Sequence, residues 1–312
     1  MRRQDIWKDK RYYSYNAYMR NRHSQKVGKL SLNAGLTCPN RDGTISRGGC
    51  IFCSEDGSGT FAGCKEDTIV DQISSQKRLQ SGKWKVKKYI AYLQSYSNTY
   101  GDVDELRRIY FDAISDEDVC GLAIATRPDC LGDDVLDLLE ELNGKTHLWV
   151  ELGLQTVNEE TATWINRGYC LDVFDQAVRK LKQRGIEFVA HVIFGLPGET
   201  QEDMLKTIEH LKVLGVNGVK IHLLHIIDGT KLNEIYEVEP FPVLKKEEYI
   251  NLVVKALERL PEDVVIHRLT GDGAKETLVA PRWPLHKRSV LNGIDKRLKE
   301  LDTWQSKECV YE

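Results

Sequence analysis

At 312 residues and 41% hydrophobic, the chain can bury one large core. It has no long apolar run, and Met1-Arg2-Arg3-Gln4-Asp5 lacks the apolar stretch of a signal peptide, which predicts a soluble cytoplasmic protein with no membrane partner. Eight cysteines are too sparse for a disulfide scaffold, and the net charge of −3 is too small to declare a polyanionic partner by itself.

That net charge conceals an asymmetry. Residues 1–30 carry nine Lys or Arg (Arg2, Arg3, Lys8, Lys10, Arg11, Arg20, Arg22, Lys26, Lys29) against Asp5 and Asp9. Trp7, Tyr12, Tyr13, Tyr15 and Tyr18 are interleaved among them. Cations mixed with stacking rings suit a nucleic-acid backbone and exposed bases, and they equally suit a solvated helix face plus a packed arm. Residues 1–28 are therefore set apart as a basic aromatic arm.

An apolar run at 30–36, the first predicted strand, leads into Cys38-Pro-Asn-Arg-Asp-Gly-Thr-Ile-Ser-Arg-Gly-Gly-Cys50-Ile-Phe-Cys53, a C-x11-C-x2-C loop. Three thiolates can hold a soft metal centre one ligand short of closure. Cys64 would complete C-x11-C-x2-C-x10-C as a structural zinc site, the other-class alternative, in which the chain binds nucleic acid without catalysis. A second basic run follows, Lys77, Arg78, Lys83, Lys85, Lys87 and Lys88 with Trp84 inside it.

Further apolar runs at 89–93, 121–125, 148–154, 188–194 and 218–224 read as buried strands. Helical stripes lie between them: Val135, Leu138, Leu139 and Leu142; Leu171, Phe174, Val178 and Leu181; Leu205, Ile208, Leu211 and Leu214. Six strands alternating with helices predict an α/β fold, a partial (β/α)6 TIM-like barrel of parallel strands over 29–268. Ligands of such folds bind at the carboxyl ends of the strands. At those ends stand the cysteine loop, residues 94–99, Thr126-Arg127-Pro128-Asp129, Gln155-Thr156, Gly195-Leu196-Pro197-Gly198-Glu199-Thr200, and His222 with His225. Thr200 is placed to cap the next helix, with Glu202 and Asp203 in its first turn. Residues 269–312 form a C-terminal extension with a rigid Pro281-Arg282-Trp283-Pro284 turn, then a helix bearing Val290, Ile294, Leu298 and Leu301 that folds back on the barrel.

Together these residues resemble the radical S-adenosylmethionine (radical SAM) superfamily, and within it the Elp3-like branch that also holds oxygen-independent coproporphyrinogen oxidase. The nearest resemblance is to a bacterial subfamily with the same C-x11-C-x2-C loop in place of the usual C-x3-C-x2-C. The resemblance implies that Cys38, Cys50 and Cys53 ligate three irons of a [4Fe–4S] cluster, with S-adenosylmethionine (SAM) on the fourth. It places Phe52 near the adenine, and Gln155 and Arg167, twelve apart around an Asn166-Arg167-Gly168 turn, against SAM. Ser97 and Asn98 stand where relatives carry a Gly-Gly-Glu or Gly-Gly-Thr segment. His191 replaces an aspartate of strand five. Tyr96, Arg127, His191, His222 and His225 are the candidate substrate contacts.

The implied chemistry is reductive cleavage of SAM to a 5′-deoxyadenosyl radical, fed by an external donor such as flavodoxin or ferredoxin. The implied substrate is tRNA, at the C5 side chain of a wobble uridine, with carboxymethylaminomethyl-to-aminomethyl conversion as the step. A small metabolite or porphyrin-like substrate is the alternative within the class.

Overall fold

The computed structural model describes residues 6–55, 57, 62–81 and 86–309. Arg2, Arg3, Lys83, Trp84 and Lys85, counted above in the two basic runs, lie outside the described residues. Among the described residues no helix is long and apolar enough to cross a membrane.

Among the described residues seven parallel strands form the main sheet: β1 Val27–Leu32, β2 Lys88–Leu93, β3 Val119–Thr126, β4 His147–Gln155, β5 Glu187–Phe194, β6 Gly218–Leu223 and, after a two-residue β7 (Ile226–Ile227), β8 Val265–Arg268. They pair in the order β1-β2-β3-β4-β5-β6-β8, a sheet curled into a half-barrel. Helices α2 Ile69–Ser81, α3 Val103–Ala113, α4 Asp133–Asn143, α5 Glu159–Trp164, α6 Leu171–Gln183, α7 Gln201–Leu214, α8 Lys231–Val238 and α9 Lys246–Arg259 connect the strands. The predicted stripes are the buried faces: Val135, Leu138, Leu139 and Leu142 of α4, Phe174, Val178 and Leu181 of α6, and Leu205, Ile208 and Leu211 of α7.

Six strands were expected and seven form. β8 has only four residues, ends in His267-Arg268 and carries no apolar run; it joins because its backbone continues the ladder, with Gly218 opposite Val265 and Val219 opposite Ile266. The first strand also starts earlier than its apolar run. It spans Val27–Leu32, and residues 33–36 are already loop leading to Cys38.

Strand residues alternate between two environments, as the pleat requires. Outward ones such as Leu30, Leu93, Leu122, Val150, Phe188 and Ile221 pack under the helices in the main core. Inward ones, including Ile90, Tyr92, Ala123, Trp149 and Val189, form a second cluster inside the half-barrel, and Met19 joins them.

Met19 belongs to the basic aromatic arm, whose described residues pack on the sheet. Ser14 bridges to Ile266 of β8, and Ile266 N–H donates to Tyr13 O at 2.8 Å. Helix α1 (Tyr15–His23) then packs on both β8 and β1, the two edges that the curled sheet leaves apart. Trp7 and Tyr12 are buried, Tyr15 leans on His267 with ring centroids 4.9 Å apart, and Tyr18 donates to Glu187 at 3.0 Å. The rings are worth more as cover over the open side of the half-barrel than as exposed surface, since each buries a large apolar area. Arg20 and Arg22 remain on the exterior.

The C-terminal stretch is an integral layer. Helix α10 (Lys287–Glu300) packs on α9 through Val290, Ile294 and Leu298; Leu301, expected in that stripe, is exposed. Gln305 then accepts from Tyr13 N–H at 2.8 Å, tying the two ends of the chain together. A small β7–β9 ribbon, with β9 at Leu278–Ala280, lies beside the barrel mouth's last strands.

Candidate active site at the mouth of the half-barrel

The cysteine loop leaves β1 and folds on its own backbone. Cys38 O accepts from Arg41 N–H at 2.8 Å, and Cys50 O from Cys53 N–H at 2.9 Å. Gly48 and Gly49 take φ of 87° and 83°, a left-handed turn that side chains resist. Buried Asn40 anchors the loop: its amide donates to Asn166 O at 2.7 Å and faces Cys50 Sγ at 3.7 Å, while Asn166 returns a bond to Gly49 O at 2.8 Å. The loop is thereby laced to the 165–169 turn.

Cys38, Cys50 and Cys53 lie within electrostatic reach of one another. Burial pushes the Cys50 thiol up to about 12, with Cys53 and Cys38 adding to the rise and Arg127 opposing it. Burial raises Cys53 too, opposed by Arg41. Cys64 stands apart. It is exposed, its thiol donates to Glu66 at 2.8 Å, and its charged neighbours are Glu66 and Asp67, so it does not close a four-thiol zinc site with the other three. Among the described residues no three His, Cys, Asp or Glu converge on one metal-ion point. Three thiols grouped in one loop are a ligand set that can hold an iron–sulfur cluster with one iron left open.

The segment after β2 supplies the facing wall. Ser97 N–H donates to Thr37 O at 3.2 Å, next to Cys38. Asn98 spends its amide nitrogen on Leu93, Ser95 and Ala125 carbonyls (3.2, 2.9 and 2.9 Å). Ser95 Oγ and Asn98 Oδ1 are buried with no hydrogen-bond partner among the described residues, and Ser97 Oγ faces the Cys130 thiol, so this wall holds polar capacity in reserve. Tyr96 and Gln155, at the ends of β2 and β4, and Asn166 all have positive φ (59°, 62° and 54°). Such strain in non-glycine residues gathers at functional sites.

Two of the expected contact residues also anchor the backbone around the site. Arg167 is fully buried and donates to Leu154 O (3.0 Å), Thr156 O (2.7 Å), Tyr169 O (2.9 Å) and Glu159 (3.0 Å). Those bonds occupy nearly all its donors and clamp the end of β4 to the 165–169 turn. Arg127 likewise forks onto Asp129 at 2.9 and 2.7 Å and donates to Arg167 O at 2.8 Å. Phe52 packs in a side cluster with Ile165, Leu196 and Leu224. The Gly195–Thr200 string closes β5 in a turn, and Thr200 with Asp203 forms the expected capping box on α7.

Deeper in the half-barrel lies a charge cluster not anticipated from sequence. Glu151 is fully buried, hydrogen-bonded by Lys220, 2.8 Å from His191 Nε2 and 3.5 Å from Lys29. Burial opposes its ionisation, yet Lys220 and Lys29 hold it well below the usual carboxylate range. Lys220 also reaches Tyr92 Oη at 3.1 Å. The Lys29 ammonium sits 4.5, 4.9 and 5.5 Å from the rings of Tyr92, Tyr15 and Trp149, an aromatic cage that favours the cation. His191 is pushed by burial, then by Lys220, to about 4; it tilts over His222 at 5.4 Å. His225 lies beyond, its ring against Gly271 and Gly273. The available signal was a charged residue at the centre of an apolar strand, at Lys29, Glu151 and Lys220.

A parallel half-barrel with three thiols and unpaired polar atoms at its mouth defines a class of cofactor-dependent enzyme. Residues 38–211 match the Radical SAM superfamily and residues 216–300 the Radical_SAM C-terminal domain. The chain belongs to the radical SAM superfamily, in its Elp3-like branch. It is 44% identical over 299 residues to the uncharacterized protein YtqA of Bacillus subtilis, covering 96% of this chain and 93% of that one. Over 154 residues, 48% of this chain and 28% of the relative, it is 30% identical to the tRNA uridine(34) acetyltransferase of Methanocaldococcus jannaschii. The solved archaeal Elp3 of Methanocaldococcus infernus has the same fold, with TM-score 0.68 at 17% identity over 89% of this chain and 64% of that one. The cofactors of the class are a [4Fe–4S] cluster and SAM.

Proposed function

We infer that Cys38, Cys50 and Cys53 hold the cluster, and that SAM is received by Ser95, Ser97, the Asn98 carbonyl oxygen, Gln155 and Phe52. The bound cofactors supply reductive cleavage of SAM to a 5′-deoxyadenosyl radical, with an electron from a flavodoxin or ferredoxin. This chain's residues supply the rest. Asn40 and Asn166 lock the cysteine loop, Arg167 and Arg127 fix the ends of β4 and β3, and the α1 plug excludes water from the open side.

The substrate is the wobble uridine of tRNA, and the step is carboxymethylaminomethyl to aminomethyl at C5: the radical would take a hydrogen from the carboxymethyl carbon, a second electron would return to the electron carrier, and water would cleave the resulting imine's carbon–nitrogen bond to release the two carbons as glyoxylate. What supports this substrate is the similarity to a tRNA uridine(34) enzyme combined with the Elp3 fold over most of the chain. The buried Lys29–Glu151–Lys220 cluster sets two lysines, both lowered by burial, against one carboxylate in the half-barrel interior. His191 and His222 line the same interior. The test compares digested tRNA by mass spectrometry from cells with and without the gene. Accumulated carboxymethylaminomethyl-uridine in the deleted strain, cleared by purified enzyme with SAM and reductant, is the expected outcome. Identical wobble-uridine profiles would rule the substrate out.

A further inference from the structure

The inward residues of β4, β5 and β6 change character at one level of the half-barrel. Glu151, Val189 and Lys220 are buried, whereas the next inward residue on each strand, Gly153, His191 and His222, is partly exposed. The outward residues beside them stay buried, so the exposure is to the interior and not to the helices. A closed floor therefore lies beneath an open cleft. Strand pairing makes the cleft wall continuous, since His191 stands opposite Gly153, and Gln155 follows as the next inward residue on the same strand as Gly153.

His191 sits on the boundary between floor and cleft. Its side chain is 21% exposed, and its Nε2 lies 2.8 Å from Glu151 Oε2 in the floor. Both carboxylate oxygens are engaged: Lys220 shares Oε2, and Trp149 Nε1–H donates to Oε1 at 3.1 Å. A carboxylate held ionised can only accept, so Nε2 carries the ring's proton and Nδ1 is left a bare acceptor. Nδ1 has no hydrogen-bond partner among the described residues. Gly153, directly opposite, brings no side chain to fill the space beside the ring. Burial, then Lys220, keeps that ring neutral at ordinary pH. An imidazole oriented through one nitrogen by a buried carboxylate, with the other nitrogen open to a cleft, is built to move protons.

We propose that His191 is the base of the hydrolytic half of the reaction and that Glu151 is its positioning residue. The inference rests on the substrate and step proposed above. Loss of a hydrogen atom and an electron leaves the substrate as an imine, and cleaving it moves two protons from water to its nitrogen. As the water oxygen bonds to the imine carbon, Nδ1 takes one water proton and passes it to the nitrogen, giving a carbinolamine. Nδ1 then takes the hydroxyl proton and passes it to the same nitrogen as the carbon–nitrogen bond breaks. Glyoxylate and the aminomethyl group separate, the ring ends as it began, and this half consumes no oxidant or reductant.

The experiment incubates the cluster-loaded full chain with SAM, reductant and tRNA bearing carboxymethylaminomethyl-uridine, and follows 5′-deoxyadenosine and glyoxylate together. His191→Gln keeps a donor for Glu151 while removing the base at Nδ1, and circular dichroism with iron content checks its fold. The expected result is glyoxylate release slowed about a hundredfold relative to 5′-deoxyadenosine formation. Quenching with borodeuteride should then trap the stranded imine as carboxymethylaminomethyl-uridine one deuterium heavier. His191→Ala is the second variant, and added imidazole should restore its glyoxylate release. An unchanged product ratio, or equal slowing of both products in both variants, would overturn the base. Wild-type protein that releases no glyoxylate would instead remove the substrate and step on which the base depends.

Discussion

At the residue scale the cysteines divide by surroundings and not by spacing. Cys38, Cys50 and Cys53 interact with one another, whereas Cys64 is exposed and bonded to Glu66. Replacing any one of the three by Ala is expected to abolish the iron and sulfide content of anaerobically reconstituted protein, while Cys64→Ala retains it; elemental analysis and visible absorbance decide. Zinc in place of iron, lost from Cys64→Ala, would refute the assignment. Glu151 yields a sharper stability test. Glu151→Gln leaves Lys220 and Lys29 buried without a counter-charge, and breaking a buried pair from one side costs about 3–5 kcal/mol. Urea unfolding should show that loss, and adding Lys220→Met should recover part of it. An unchanged midpoint would mean that the lysines are neutral in the folded protein.

At the scale of elements, α1 is a closure device for a sheet that does not meet itself. Its contribution is burial, since few polar contacts hold it: Ser14 caps it weakly at 3.3 Å, and Met19 is 1% exposed inside the half-barrel. Met19→Ala should cost about 2–5 kcal/mol, the range for a truncated core methionine. Urea unfolding measures it, and a loss below 1 kcal/mol would show that the helix merely rests on the sheet. The strand-end loops act the other way, through strain. Gln155 and Asn166 keep left-handed backbones where Asn40, Tyr169 and Arg167 hold the neighbouring chain in place.

For the whole molecule, the interior histidines set the response to acid. Burial pushes His191 and His225 from the ordinary 6.5 to about 4, and drives His222 and His267 down as well. Folded protein leaves these rings neutral where the unfolded chain would protonate them. Their contribution is therefore full above pH 6.5 and is lost as pH falls toward 4, with roughly two or more protons taken up on unfolding. The depressed Glu151 loses its contribution in the same direction at still lower pH. Urea midpoints at pH 7.5, 6 and 5 should decline steadily; a flat profile would mean that the histidines are solvated.

Much of this protein is written locally. The C-x11-C-x2-C spacing, the helical stripes of α4, α6 and α7, the cap at Thr200, and the polar residues following each apolar run depend on neighbours a few positions apart, so sequence alone determined the barrel class and the family, and it singled out the three loop cysteines. The tertiary structure decided what depends on register between distant strands. Four-residue β8 is a strand only because β6 offers it a ladder. The arm's rings are a plug only because the curled sheet leaves a gap of their size. Arg167 is a clamp because three carbonyls surround it. Lys220 and Glu151, 69 positions apart, meet because β4, β5 and β6 lie side by side with both residues on inward-pointing pleats. A lone charged residue in an apolar strand announces that it needs a partner, and only the fold supplies one.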